Sequence, residues 1–194
     1  LHPGPRRYSR AWIRDGALMG AALARVGLPG AGRDFIRWYG GFQAPDGNLP
    51  DCADSAGCEW LLEYDCWGEC IFAVMDHYRF SGDAAFVAGM WPTVLKSVDY
   101  MQALRHRRMT PEYQAPDKRA FYGLLPESMS HEGYMAHPVH SYWDDFWALR
   151  GFKDAAAMAA ILGEAAQCER ITALCDDFRS TLYASLDLVI QERG

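Results

Sequence analysis

The sequence predicts an all-α fold of helical hairpins set in two concentric layers. Apolar residues recur at helical spacing along most of the 194-residue chain, and no run of alternating β-branched residues competes with them. The helical segments alternate in character, one apolar all round and the next with a single wet face, three times over, with breaks at Gly27, Gly82 and Gly163. The long polar loops precede the all-round apolar segments, which gathers them at one end. Such alternation suits an inner ring of helices that touch neighbours on every side and an outer ring that faces water.

The first inner helix is expected from Trp12 to Val26, where Ile13, Ala17, Leu18, Ala21, Ala22, Leu23 and Val26 wrap most of the way round. Gly27-Leu28-Pro29-Gly30 stops it, and a shorter helix from about Gly32 to Gly41 carries Phe35, Trp38 and Tyr39. A turn-rich loop from Ala44 to about Glu63 leads to the second inner helix, Cys66 to Phe80. Ser81-Gly82-Asp83 ends that helix and caps the next, in which Phe86, Met90, Val94, Val98, Met101 and Leu104 form one stripe. Pro92 lies inside this stripe and predicts a kink or the true first turn. A second long loop, Met109 to His140, precedes the third copy: Ser141 as N-cap, Tyr142 to Leu162, a break at Gly163, and an amphipathic helix from Glu164 to about Ile190. All 194 residues read as one domain.

Lys and Arg number 19 against 25 Asp and Glu, a net charge of −6, which argues against a nucleic-acid partner whose affinity rests on released counterions. Arg105-His106-Arg107-Arg108 reads as a solvated helix end. No apolar stretch approaches the ~20 residues of a membrane span. No charged-then-apolar leader opens the sequence, and Leu1 is expected to be a cut end. The six cysteines read mainly as small buried residues, although Cys52 and Cys58 bracket a loop and are placed to bond in an oxidising compartment. His131, His137 and His140 lack metal-ligand spacing, so neither metal nor organic cofactor is expected.

Acidic groups recur where each inner helix begins: Arg14-Asp15 on the first, Glu63, Asp65 and Glu69 on the second, Asp144-Asp145 on the third. First-turn acids are common caps, yet in a ring of parallel helices these groups converge on one mouth, where helix N-termini favour negative charge. Trp12, Trp60, Tyr64, Trp67, Tyr142, Trp143 and Trp147 cluster within about a turn of them, although they also suit packing between helices. Flat aromatic faces, hydrogen-bonding carboxylates and an acid that protonates a glycosidic oxygen together match a saccharide. Glu127, His131 and Glu132 could reach the mouth from the loop above, and Asp46 and Asp51 read mainly as turn formers.

Three stretches resemble a known superfamily. Tyr8 to Met19, YSRAWIRDGALM, is similar to the aromatic-x-x-Arg-Asp segment of glucoamylases and related six-hairpin, (α/α)6-barrel glycosidases. Glu63 to Phe72, EYDCWGECIF, resembles their Tyr-Asp-x-Trp-Glu-Glu stretch, and Ser141 to Gly163 resembles a third-hairpin segment of bacterial six-hairpin proteins. The resemblance implies three of six hairpins and glycoside hydrolysis. It implies that Arg14 and Asp15 bind the non-reducing sugar with Asp65 and Glu69 nearby, and that a base comes from a later hairpin. Trp12, Glu63, Trp67, Tyr142, Trp143, Asp144, Glu127 and His131 complete the expected saccharide site. Gly68 stands where glucoamylases carry the general acid, so the candidate acids are, in order, Glu69, Asp145 and Asp65. Half a ring leaves open flanks, so the remainder of the barrel or a homodimer is the expected partner. Two competing readings are a carbohydrate-binding or scaffold protein that keeps the barrel, which Gly68 favours, and a solenoid interaction module, which the unequal repeat lengths oppose.

Overall fold

In a computed structural model, residues 1–4, 9–133 and 136–193 are described, and among them six helices form three hairpins. Tyr8, which opens the first family-like segment, lies outside the described residues. The hairpins are α1 (Ile13–Arg25) with α2 (Pro29–Gly40), α3 (Cys66–Ser81) with α4 (Ala84–His106), and α5 (Tyr142–Leu162) with α6 (Ala165–Arg193). Gly27, Gly82 and Gly163 at the three turns have φ of 84°, 68° and 74°, a left-handed backbone that glycine adopts without a Cβ penalty. One conformational demand therefore explains the recurrence of glycine at all three breaks. Asp83 caps α4 as expected, accepting the Phe86 N–H at 2.9 Å.

The inner helices α1, α3 and α5 stand side by side and point the same way. Arg14 in the first turn of α1 meets Glu63 and Asp65 just ahead of α3, while Arg25 at the other end meets Asp76 and lies over Phe80. Between α3 and α5, Gly68 abuts Trp147 and Gly151 near the helix starts, and Arg79 pairs with Asp154 farther along. The outer helices α4 and α6 also run together, tied by Arg170 to Asp99 at 2.9 Å and Arg105 to Asp177 at 2.7 Å. Between the layers lies the core, including Ile36, Tyr39, Ile71, Val74, Val94, Met101, Phe152, Met158, Phe178 and Leu182. Its buried apolar area is the main favourable term for folding.

Several expectations need correction, although the all-α fold class holds; it carries one small antiparallel sheet, Ala11–Trp12 (β1), Cys52–Asp54 (β2) and Gly57–Glu59 (β3), at the entrance to α1 and in the loop ahead of α3. Segments of two or three residues are too short to leave a period-two signature in sequence. All-round burial holds for α3 as far as His77, where it has an inner neighbour on each side, and ends at the last turn, where Phe80 is exposed. It fails for α1 and α5, whose outer flanks expose Leu18, Val26 and Phe146. Arg105 is buried, not solvated, with its Nε donating to the Gly123 carbonyl at 2.7 Å. Pro92 sits inside unbroken α4 on its exposed face, where water can take the carbonyl that loses its partner. Cys52 pairs with Glu59 across the sheet and Cys58 with Ala53, so the two thiols point to opposite faces and both are free.

The approach of α3 to α5 depends on the absence of side chains. A Cβ on Gly68 would overlap the Trp147 carbonyl oxygen, and a Cβ on Gly151 would sit 3.0 Å from the Gly68 Cα. Gly68→Ala is expected to destabilise the chain by ~2–3 kcal/mol through forced separation of the two helices. Gly89→Ala, in α4 with open space around it, is expected to be neutral or to stabilise by up to ~1 kcal/mol. Urea denaturation of both variants measures the contrast.

Candidate active site

The parallel inner helices bring their N-terminal ends together, and one carboxylate joins all three. Asp65 Oδ2 accepts the Trp143 indole N–H from α5 at 2.7 Å and lies 3.5 Å from the Arg14 Nη1 of α1. Asp65 occupies the N-cap position of α3 yet makes no side-chain cap bond. Its Oδ2 is instead taken up by α1 and α5, and its Oδ1 faces the Cys66 thiol at 3.8 Å. Arg14 Nη1 also donates to Glu63 Oε2 at 3.0 Å. Glu69, one turn into α3, is fully buried beside Asp65.

The loop ahead of α5 closes over this group. Ser128 donates its hydroxyl to Asp144 Oδ2 at 2.6 Å, the Met129 N–H donates to the Leu62 carbonyl at 3.0 Å, and the His131 ring lies over Trp143 with centroids 4.3 Å apart. Ser141 stands at the expected N-cap position of α5, but its hydroxyl is 3.1 Å from the Ser130 hydroxyl and makes no cap bond.

Burial of several acids around one guanidinium sets their protonation. Burial disfavours the charge on Arg14, but Glu63, Asp65 and Glu69 outweigh that and raise its pKa above the ordinary arginine value. Burial and the neighbouring Asp65 push Glu63 up to about 7, against the pull of Arg14. Burial, with the Asp65 charge second, carries Glu69 well above the carboxylate range. Asp144 rises to about 7 through burial, despite the Ser128 hydrogen bond. Groups that hold a proton near neutral pH are what general acid catalysis requires.

The structure thus gathers Arg14, Glu63, Asp65, Glu69, Trp143, Asp144 and His131, and separates other expected site residues from them. Asp145 accepts the Leu125 N–H at 3.0 Å and faces a different hollow of about 410 Å3, with Phe121, His140 and Tyr142 among its walls. Burial raises it to about 8. A helical step of about 100° turns it away from its neighbour Asp144. Tyr142 points the same way and bonds to Ser185 at 2.8 Å. Glu127 is held by Arg108 and by His140 Nε2 at 3.1 Å. Trp67 is core, donating to the Gly47 carbonyl at 3.0 Å and stacked on Tyr100. Asp15 is half-buried with no hydrogen bond or ion pair among the described residues, and Trp12 is half-buried in β1. Ser128 is the buried partner that sequence reasoning missed, since a serine in a polar loop carries no signal of burial.

Two groups of possible ligand atoms lie within 4.8 Å of one another, Asp51 with Cys52 and Glu59, and Glu63 with Asp65 and Cys66. Each already contains a cation, Arg10 at Glu59 and Arg14 at Glu63, so a metal ion would have to displace a guanidinium.

No family model matches the chain. An uncharacterized glycosyl hydrolase of Methanocaldococcus jannaschii is 30% identical over 131 residues, which is 66% of this chain and 20% of that protein. Among solved structures, a GH78 family rhamnosidase of Bacillus sp. GL1 superposes with a TM-score of 0.67 at 15% identity, covering 93% of this chain and 18% of that one. A rhamnosidase from Klebsiella oxytoca with rhamnose bound gives 0.64 at 16%, covering 98% and 34%. The chain therefore shares its fold of three α-helical hairpins with part of each of these two structures, and spans about a fifth of the curated relative.

Because Glu63, Asp144 and Asp145 have folded-state pKa values of about 7 to 8, against about 4 when unfolded, the folded state binds more protons across that window. Stability is therefore expected to fall as pH rises from about 4 to 8. Glu63→Gln, which cannot ionise, is expected to flatten part of that decline. Denaturant midpoints at pH 5 and pH 8 for both proteins test this; equal slopes with pH would contradict it.

Proposed function

We propose that the protein is a glycoside hydrolase that cleaves O-glycosidic bonds in an oligo- or polysaccharide by carboxylate acid–base chemistry, and that this chain supplies one wall of the active site. The observation that carries the reading is the junction of Arg14, Glu63, Asp65 and Trp143, with His131 above, where three parallel inner helices begin. Arg14 offers charge-assisted donors to sugar hydroxyls, and the Trp143 face offers a stacking surface for the C–H side of a ring. A neighbouring carboxyl that keeps its proton near neutral pH supplies the acid. Asp15 belongs to the same sugar-binding end. The glucoamylase-like motifs point to a glucan, whereas the solved neighbours are titled rhamnosidases, so α-D-glucosides and α-L-rhamnosides are the substrates to try first.

The base or nucleophile that works opposite the acid comes from elements that complete the ring. The flank of α5, with Trp143, Phe146, Trp147 and Arg150 beside an open hollow, and the exposed Leu18 and Val26 of α1 support further hairpins packing there, with a second copy of the chain as the alternative. A second functional reading is saccharide binding without turnover. It is favoured by the complete burial of Asp65 and Glu69, which keeps both from touching a sugar.

Turnover of aryl α-L-rhamnosides and α-D-glucosides by the full-length protein tests the reading. Arg14→Met is expected to lower kcat/KM by ~10²–10³-fold, as removal of a donor aimed at the reacting group does. Asp145→Asn, in the other hollow, is expected to change it no more than a few-fold. Saccharide binding by calorimetry with no turnover would favour the second reading; neither binding nor turnover would remove both.

A further inference from the structure

The carboxyls gathered at the mouth differ in what can reach them. Asp65 and Glu69 are both 0% exposed, although the flanks of the ring stand open. Nothing as large as a glycosidic oxygen with its two sugars touches either without movement of α1 or α5. Asp144 is 1% exposed, with one oxygen engaged by the Ser128 hydroxyl. Glu63 is placed differently. It lies two residues ahead of α3's N-cap, in loop rather than helix, and its side chain keeps 7% of its surface open beside an Arg14 side chain that is 20% exposed. Among the described residues it accepts one hydrogen bond, from Arg14 Nη1 at 3.0 Å through Oε2, which leaves Oε1 without a competing donor.

We propose that Glu63 is the catalytic proton donor, the group that hands its proton to the departing glycosidic oxygen. This rests on the glycosidase reading above and replaces Glu69, the leading candidate from sequence. In the step, the bond between the anomeric carbon and the glycosidic oxygen breaks, the electron pair stays on oxygen, and that oxygen takes the Glu63 proton. Water, or an enzyme carboxylate that water later displaces, takes the anomeric carbon, and the proton that water loses passes to a carboxylate base. Glu63 is left as an anion 3.0 Å from a guanidinium, so the charge that develops on the donor is met by a cation already in place. Asp65 and Glu69 act behind it as positioning residues: burial, with the Asp65 charge second, keeps the Glu63 proton bound in the resting state, and Arg14 is shared among them.

The test compares two leaving groups on the full-length protein, phenyl and 2,4-dinitrophenyl α-L-rhamnosides and α-D-glucosides. Phenolate leaves poorly without a proton and dinitrophenolate leaves well without one. Glu63→Gln is therefore expected to lose ~10²-fold or more in kcat/KM on the phenyl glycoside and far less on the dinitrophenyl glycoside. The alkaline limb of the wild-type profile, set by a group near pH 7, should vanish in the same variant. A ratio of two substrates on one preparation does not depend on the fraction folded, so partial unfolding cannot imitate the result. Glu69→Gln should lose the same factor on both. Equal losses, or no loss, for Glu63→Gln in a protein whose wild type turns over would overturn the assignment and leave the glycosidase reading standing. A wild type inactive on all four substrates would remove both.

Discussion

The close approach of α3 and α5 at Gly68 and Gly151 governs the geometry of the mouth. With no Cβ on either residue the helix backbones come into contact, which draws the Trp143 indole from one helix within 2.7 Å of the Asp65 carboxylate ahead of the other. Helices that carry ordinary side chains at the contact pack 8–10 Å apart and cannot share one carboxylate so directly. Gly68 is therefore a packing residue. The absence of an acid there is explained by the Trp147 carbonyl occupying the space that any side chain would need.

A second constraint follows from the first. Bringing the helix starts together crowds Glu63, Asp65 and Glu69 around a single guanidinium, and like charges in a poorly solvated volume cannot all ionise. Arg14 offsets part of the repulsion, and the remainder is relieved by protonation, with Glu63 held to about 7 and Glu69 well above the carboxylate range. The same crowding that strains the fold at higher pH keeps a proton on a carboxyl at the lip of the mouth. Under the proposed function, stability and chemistry draw on one set of charges, a pattern common where acids are tuned for catalysis.

The flanks of the three-hairpin array carry a third consequence. α3, with neighbours on both sides, is buried all round up to its last turn, while α1 and α5 expose apolar residues that their sequences make indistinguishable from core. The exposed flank of α5 is an aromatic strip, with Phe146 among its residues, and under the glycosidase reading proposed above it is both a packing face and one wall of the saccharide site. The sheet Ala11–Trp12, Cys52–Asp54 and Gly57–Glu59 fastens the approach to α1 to the loop ahead of α3, with Arg10 pairing to Asp54 at 3.3 Å.

Helix number, hairpin order, the glycine turns and the gathering of long loops at one end were legible in the sequence, because each rests on local chemistry: periodicity, capping at Asp83, and the left-handed backbone at Gly27, Gly82 and Gly163. So was the recurrence of acids where inner helices begin. Which acids face one another depended on helix rotation and interhelical distance, neither of which a local pattern encodes. Asp144 and Asp145 are adjacent in sequence, yet the first is buried against Ser128 and the second lines a hollow; Glu69 reads as an active-site acid and is sealed; Ser128 reads as loop and is buried. Tertiary packing decided these, since side-chain access and the energy of a buried charge are properties of the space between elements and not of the elements themselves.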